Sequence, residues 1–367
     1  MIQSNSSTQG HNPSSDEKPI RVLAISPQLP DSSSPGSNAP LLRQVESLRE
    51  RGVHVDVIDM RGTPMIKYLL AVPRMWWRMR NVDLVHGHFG FCGWLARMQC
   101  FKPLVISFMG DDLLGEPNDK GGFSRFSRMM VVANKFLARL ARQVIVKSPE
   151  MAGIISPTVS HVVPNGVDTT LFRPVDISVA RERLGWKQDQ VVILFPGNPD
   201  NPRKGYTLAV ESTRVAESLL GQDIRIQPMW GVKPGDVPLL MNACNAVWMT
   251  SSIEGSPNVV KEAMSCDRPI VAVPVGDVED LLDGVAGCHV GPRDPEKLGD
   301  LMASVLKFHD KSAGREALEQ MNLDLGSVAF RVENIYRSVL GRPASARPET
   351  SNTTTQSATL SAAAEDA

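Results

Sequence analysis

The sequence predicts an α/β protein built from two Rossmann-like, doubly wound parallel sheets in tandem. Short apolar runs alternate with helical patterns through both halves of the chain, the rhythm of parallel strands joined by crossover helices. At 367 residues there is room for about two to three domains. The composition, 42% hydrophobic and 22% charged, is that of an ordinary globular protein.

The elements follow in chain order. Residues 1–19 are polar, lack the basic-then-apolar pattern of a signal peptide, and are expected to be disordered. Strands are expected at 21–26, 53–59, 84–88, 104–108 and 144–147. The clearest helix, 39–51, puts Leu41, Leu42, Val45 and Leu48 on one face and stops at Gly52. These elements make a first domain over 20–170, and the link to the next falls near 169–190. The second domain, over 189–325, repeats the rhythm with strands at 191–195, 224–228, 246–249 and 269–273 and a helix at 205–220. Residues 342–367, rich in Ser, Thr and Ala, are expected to be disordered.

One stretch, 254–277, organises the second half. Glu254 stands in the loop after the strand 246–249, and Pro257 suits the first turn of a helix that runs through Asn258 and Val259 to Met264 and carries Glu262. Amide groups of the helix start lie between the two carboxylates. Such an end attracts anions, and the carboxyl ends of parallel strands are where open sheets bind ligands. Two carboxylates flanking phosphate donors suit a sugar joined to a nucleotide by a diphosphate. Taken alone, the spacing fits a helix start with two solvated acids better.

Glu254 and Glu262, with Gly255-Ser256-Pro257-Asn258 between them and Ala263-Met264 after, resemble the donor-sugar motif of the family-four glycosyltransferases. These are retaining enzymes of the GT-B fold, whose two domains face a cleft. The resemblance implies that Glu254 binds donor-sugar hydroxyls, that Glu262 binds the ribose, and that residues from Gly255 to Val259 line the donor site. Lys204-Gly205 matches the family's pair whose lysine binds donor phosphate. Arg203 and Lys204 stand at a helix start, where cations oppose the dipole, a placement that makes sense beside an anion. The family commonly carries an arginine where this chain has Asn198. Either Arg203 takes over that contact or the diphosphate is held differently. Pro164-Asn165-Gly166-Val167-Asp168 matches a turn that faces the cleft, with Asn165 on the acceptor side, although Asn-Gly also simply marks a turn. His88 is implied to line the sugar and acceptor pocket and, with Glu254, makes up the catalytic set. Gly36 matches one of a glycine pair near the diphosphate. A last helix, 326–340, crosses back onto the first domain in proteins of this kind.

No metal and no other cofactor are expected. His86 and His88, at i and i+2, point to one side of a strand and could pair on an ion, but no third ligand is spaced to complete the site. Asp111 and Asp112 are adjacent, not separated as in Asp-x-Asp. They either orient an acceptor hydroxyl or cap a helix. The five cysteines show no paired spacing and read as reduced thiols of a cytosolic protein.

The net charge of −1 is unevenly spread. Residues 1–168 carry 19 Lys and Arg against 14 Asp and Glu, and the rest 20 against 26, so one half is suited to an anionic surface. No nucleic-acid partner is expected. No apolar run nears the roughly 20 residues that span a bilayer. Residues 64–81 hold Lys67, Arg74, Arg78 and Arg80 without an acid, beside an apolar side of Ile66, Leu69, Leu70, Trp76 and Trp77, and Pro73 kinks this helix or starts a second one. That pattern reads as an interfacial helix on an anionic membrane. Residues 123–143 are also basic, but their apolar side is expected to pack on the sheet.

The function expected is transfer of a sugar from a nucleotide-diphospho-sugar to a lipid-linked or membrane-proximal glycan, in cell-envelope or exopolysaccharide synthesis, at the inner face of the membrane. With no obvious covalent nucleophile, the family implies front-face departure, with the phosphate taking the acceptor's proton. The alternatives are a nucleotide-sugar epimerase and a GT-B nucleotide-sugar binding protein that does not transfer.

Overall fold

The structure is a computed structural model and describes residues 18–31, 36–63, 66–115, 122–308 and 310–346. Most of the terminal segments expected to be disordered, 1–17 and 347–367, and Pro64 and Met65 of the basic stretch lie outside the described residues.

Continuous apolar runs become strands covered on both faces, as parallel sheets require. Thus β1 (Arg21–Pro27) buries Val22, Leu23, Ala24 and Ile25 in succession. It lies between β2 (His54–Met60) and β3 (Leu84–His88). Beyond β3 come β4 (Leu104–Ser107), β5 (Gln143–Val146) and β6 (His161–Val162), giving a parallel sheet of order β2-β1-β3-β4-β5-β6. The second sheet contains β7 (Val191–Phe195), β8 (Ile224–Pro228), β9 (Ala246–Met249), β10 (Ile270–Ala272) and β11 (Cys288–Val290). Its order is β11-β10-β9-β7-β8, again parallel throughout. Two strands absent from the sequence reading, β6 and β11, are short, with too few residues to show a period.

The last helix, Leu325–Val339, packs on the first sheet although it follows the second in the chain. Its Val328, Val332 and Tyr336 share one core with Val22, Val105 and Ile145. Glu333 on the same helix lies 2.7 Å from Arg51.

Two stretches depart from the sequence expectation. Of the two outcomes expected at Pro73, a second helix does not start there; one helix, Ile66–Arg78, runs through it with Ala71 and Met75 buried. The helix Arg125–Leu140 does not pack its apolar side on the sheet. Only Asn134, Leu137 and Ala138 are buried, while Phe126, Met129, Val132 and Phe136 are exposed. Leu137 and Ala138 join the core beside Asn134, while the larger apolar residues face outward, a choice that apolar periodicity alone does not reveal.

Candidate functional site

The carboxyl ends of the two sheets approach each other through glycine. A Cβ placed on Gly255 would lie 3.0 Å from Met151 Sδ and 3.1 Å from the Met109 carbonyl, so the loop after β9 touches the first half where only a backbone fits. Gly276, at φ +59°, supports the same loop from behind; a Cβ there would lie 2.3 Å from the Gly255 carbonyl.

Glu254 lies in this loop and is 15% exposed. Its carboxylate accepts from Lys204 Nζ at 2.7 Å and lies 3.2 Å from Arg203 Nη1. Arg203 also donates to the Ile253 carbonyl at 2.8 Å and approaches Asp111 of the first half at 3.8 Å. Both cations sit in a 3₁₀ turn, Pro202–Lys204, one step ahead of the helix Tyr206–Leu220 and not on its first turn. Asn201 caps the turn by accepting from the Arg203 amide. Thr250 donates to the Lys204 and Gly205 carbonyls and so ties the turn to the end of β9. The Asn198 side chain closes its own turn by accepting from the Asp200 amide at 3.0 Å.

The helix after the loop is Asn258–Ser265, with Pro257 as its N-cap residue. Asn165 Nδ2 donates to Asn258 Oδ1 at 3.3 Å, bringing the turn of the first domain against this helix start. Glu262 is partly buried and reaches Arg43 of the helix Ala39–Glu50 at 3.3 Å. Burial raises its carboxyl above the usual range, opposed by Arg43. Gly36 sits exposed in the turn before that helix.

Sequence reasoning missed the support beneath the loop. Lys261 is fully buried and donates to Ser256 Oγ at 2.9 Å. Burial pushes its ammonium down to about 8, against the pull of Asp277. Burial likewise raises Asp277 to about 6. A lysine inside an amphipathic helix reads as solvated, so the signal was silent. Lys147, which ends the apolar run 144–147, is buried too, donates to the Val163 carbonyl at 3.2 Å and is pushed by burial down to about 7. Its position at the end of a buried strand was the available signal.

On the first sheet the His86 and His88 rings lie 3.9 Å apart, tilted by 32°. His86 is fully engaged, with Tyr336 Oη at 2.6 Å and Ser107 Oγ at 2.8 Å. His88 is 3% exposed, and burial followed by the Lys147 charge pushes it down to about 3, so its ring is neutral at neutral pH. Its Nδ1 has no hydrogen-bond partner among the described residues. Asp112 turns inward and accepts from the Met109, Gly110 and Gly90 amides, which anchors the loop after β4. Asp111 is exposed beside it. Among the described residues no group of three or more His, Cys, Asp and Glu side chains could hold a metal ion. A separate cavity of about 510 Å³ lies away from the cleft, lined by Arg21, Arg49, Arg78 and Trp77 among others.

Residues 34–171 match the family described as Glycosyltransferase Family 4, and residues 214–307 match Glycosyl transferases group 1. The chain belongs to the family-four glycosyltransferases. Among curated members, the D-inositol 3-phosphate glycosyltransferase of Geodermatophilus obscurus is 27% identical over 273 residues, 62% of this chain and 60% of that one. The enzyme of the same name from Mycobacterium avium is 26% identical over 259 residues, 61% of each chain. The chain therefore matches about three fifths of the length of these family-four relatives. Among solved structures, sucrose-phosphate synthase from Thermosynechococcus elongatus superposes with a TM-score of 0.72 at 18% identity, over 88% of this chain and 99% of that one. Anabaena HepE in complex with UDP-glucose superposes at 0.62 and 18%, over 87% and 100%. These likenesses show the fold of this family-four chain, which is GT-B.

Proposed function

We propose that the protein is a retaining glycosyltransferase that moves a sugar from a nucleotide-diphospho-sugar to a lipid-linked or membrane-proximal glycan, in cell-envelope or exopolysaccharide synthesis. The observation that carries the reading is Glu254 held by Lys204 and Arg203 at the carboxyl end of the second sheet. A carboxylate for sugar hydroxyls and two fixed cations for a diphosphate stand within one ion-pair network. Family membership and the UDP-glucose bound to the structural neighbour HepE support the donor class.

In the reaction the bond from sugar C1 to the phosphate oxygen breaks, and its electron pair leaves with the diphosphate. Lys204 and Arg203 neutralise that charge in a partly dry cleft, where fixed charges act strongly. The acceptor oxygen bonds to C1 on the same face, and its proton passes to the departing phosphate oxygen. His88, neutral, offers a hydrogen-bonding nitrogen beside the sugar. Asp111 and Asn165 stand on the acceptor side. Among the described residues no helix is long and apolar enough to cross a membrane. Residues 64–81 attach the protein peripherally to the inner membrane face.

A nucleotide-sugar binding protein that does not transfer is the second reading, favoured by Asn198, a neutral side chain where the family commonly carries an arginine, with its oxygen accepting from the Asp200 amide. A thermal-shift panel of nucleotide sugars, followed by transfer assays on membrane extracts, separates the two. A shift abolished by Lys204→Ala, with product formed, supports transfer; the same shift without product supports the second reading. No shift with any nucleotide sugar sinks both.

A further inference from the structure

Three helices of the first domain present one uncovered apolar face. On the helix Ile66–Arg78, Leu69, Leu70 and Trp77 are 73%, 63% and 71% exposed. On Arg125–Leu140, Phe126, Met129, Val132 and Phe136 line one side, each more than half exposed. Aromatic contacts join these helices through Gly90–Arg97: Tyr68 meets Phe91 at 5.9 Å, Phe91 stacks on Phe126 at 6.4 Å, and Trp94 stacks on Phe136 at 6.5 Å. Trp76 adds Phe101 at 5.8 Å. The patch is therefore continuous across the three elements. Scattered exposed apolar residues need no explanation, but a connected face of this kind does.

Charge identifies what covers it. None of the three helices contains an acid, while Lys67, Arg74, Arg97, Arg128, Lys135 and Arg139 are interleaved with the apolar side chains. At the rim, Trp77 borders the cavity lined by Arg21, Arg49 and Arg78, where Asp56 pairs with Arg78 at 2.9 Å. Aromatic and aliphatic side chains fringed by cations alone match the boundary between headgroups and acyl chains of an anionic bilayer. The face also runs to the cleft. Phe91 follows His88 by three residues, and the amide of Gly90, first in its helix, is held by Asp112 of the loop that touches Gly255.

We infer that the three helices 66–78, 90–97 and 125–140 together form a docking surface for an anionic lipid bilayer, which delivers an amphiphilic acceptor to the cleft along Phe91 and Phe126. The delivery rests on the proposed transfer to a lipid-linked acceptor; the docking does not. The basic stretch 64–81 is then one edge of a platform and not a lone anchor.

The test is flotation of the full chain with vesicles of phosphatidylcholine alone or mixed with phosphatidylglycerol, with no nucleotide sugar present. Binding is expected to be about tenfold or more stronger on the mixed vesicles, and weakened by salt. Met129→Glu with Phe136→Glu, on the helix the sequence assigned to the sheet, is expected to lower it about tenfold without moving the thermal midpoint. Phe136→Leu restores fold and binding alike if the face acts through burial. Wild-type binding by the double variant overturns the inference. So does failure of the wild type to bind the mixed vesicles, including the case where it elutes as a dimer that the variant dissociates, for then a second copy covers the face. A protein that binds vesicles but transfers no sugar leaves the docking intact and overturns only the proposed reaction.

Discussion

Arg43 and Glu262 meet across the cleft, 3.3 Å apart and 219 residues apart in the chain. The guanidinium also lies over the Phe172 ring at 5.3 Å, which fixes its approach. A carboxylate that sequence resemblance assigns to the donor ribose is thus held by a helix of the first domain.

The first prediction follows from that contact. Glu262→Gln is expected to weaken nucleotide-sugar affinity about tenfold or more, since a hydrogen bond to a charged group is worth roughly 1.5–3 kcal/mol. Arg43→Ala is expected to be non-additive with it by about 0.5–3 kcal/mol in a double-mutant cycle read by calorimetric titration. Additive effects would mean that the two side chains do not work as a pair.

Glu254 is expected to act mainly on turnover. In the proposed reaction its neighbours Lys204 and Arg203 supply charge to the leaving diphosphate, so Glu254→Gln and Lys204→Ala should each lower kcat, the latter by about a hundredfold as for lost transition-state donors. Steady-state kinetics decide this, and wild-type turnover in both variants would remove the assignment.

If the fixed cations Arg203 and Lys204 hold the diphosphate as proposed, transfer is expected to survive EDTA. Loss of activity with chelator, restored by magnesium or manganese, would show that a metal shares the neutralisation.

Gly276→Ala tests the support of the donor loop. The added Cβ meets the Gly255 carbonyl at 2.3 Å and stands at φ +59°, so the loop has to shift. Strain at such a position costs on the order of 1–3 kcal/mol. Donor affinity is expected to fall with far-ultraviolet dichroism unchanged; an unaltered Kd would mean the loop moves without consequence.

Buried ionisable groups set the pH response. Asp112 and Asp277, raised by burial to about 6, hold protons in the folded state that the unfolded chain releases above about 4, so their contribution to stability falls as pH rises from about 4 to 6. Lys147 and Lys261, lowered by burial to about 7 and 8, lose protons that the unfolded chain keeps to about 10, so their contribution rises from neutral pH upward. Each group adds a slope of at most about 1.4 kcal/mol per pH unit. Urea unfolding across this range should show the dip near neutral pH, and Lys147→Met should flatten its alkaline side. An unchanged alkaline slope would place the Lys147 ammonium in water.

The strands, the helix Ala39–Glu50 and the motif around Glu254 and Glu262 were readable because each rests on short-range periodicity, caps and spacing. The 3₁₀ turn under Arg203 and Lys204 was misread as a helix start because Gly205, in the left-handed region, ends one element and begins the next. The burial of Lys261 and Lys147 could not be read, because a lysine in a periodic pattern carries no sign of what covers it.

By itself the sequence determined the α/β rhythm, the family and the residues that gather at the end of β9, since these depend on neighbours within a few turns of chain. Only the tertiary structure decided that Arg43 meets Glu262, that Gly255 packs against Met109 and Met151, and that Phe126, Met129 and Phe136 face outward. Periodicity shows that a helix has an apolar side; which surface lies against that side depends on packing between segments distant in sequence.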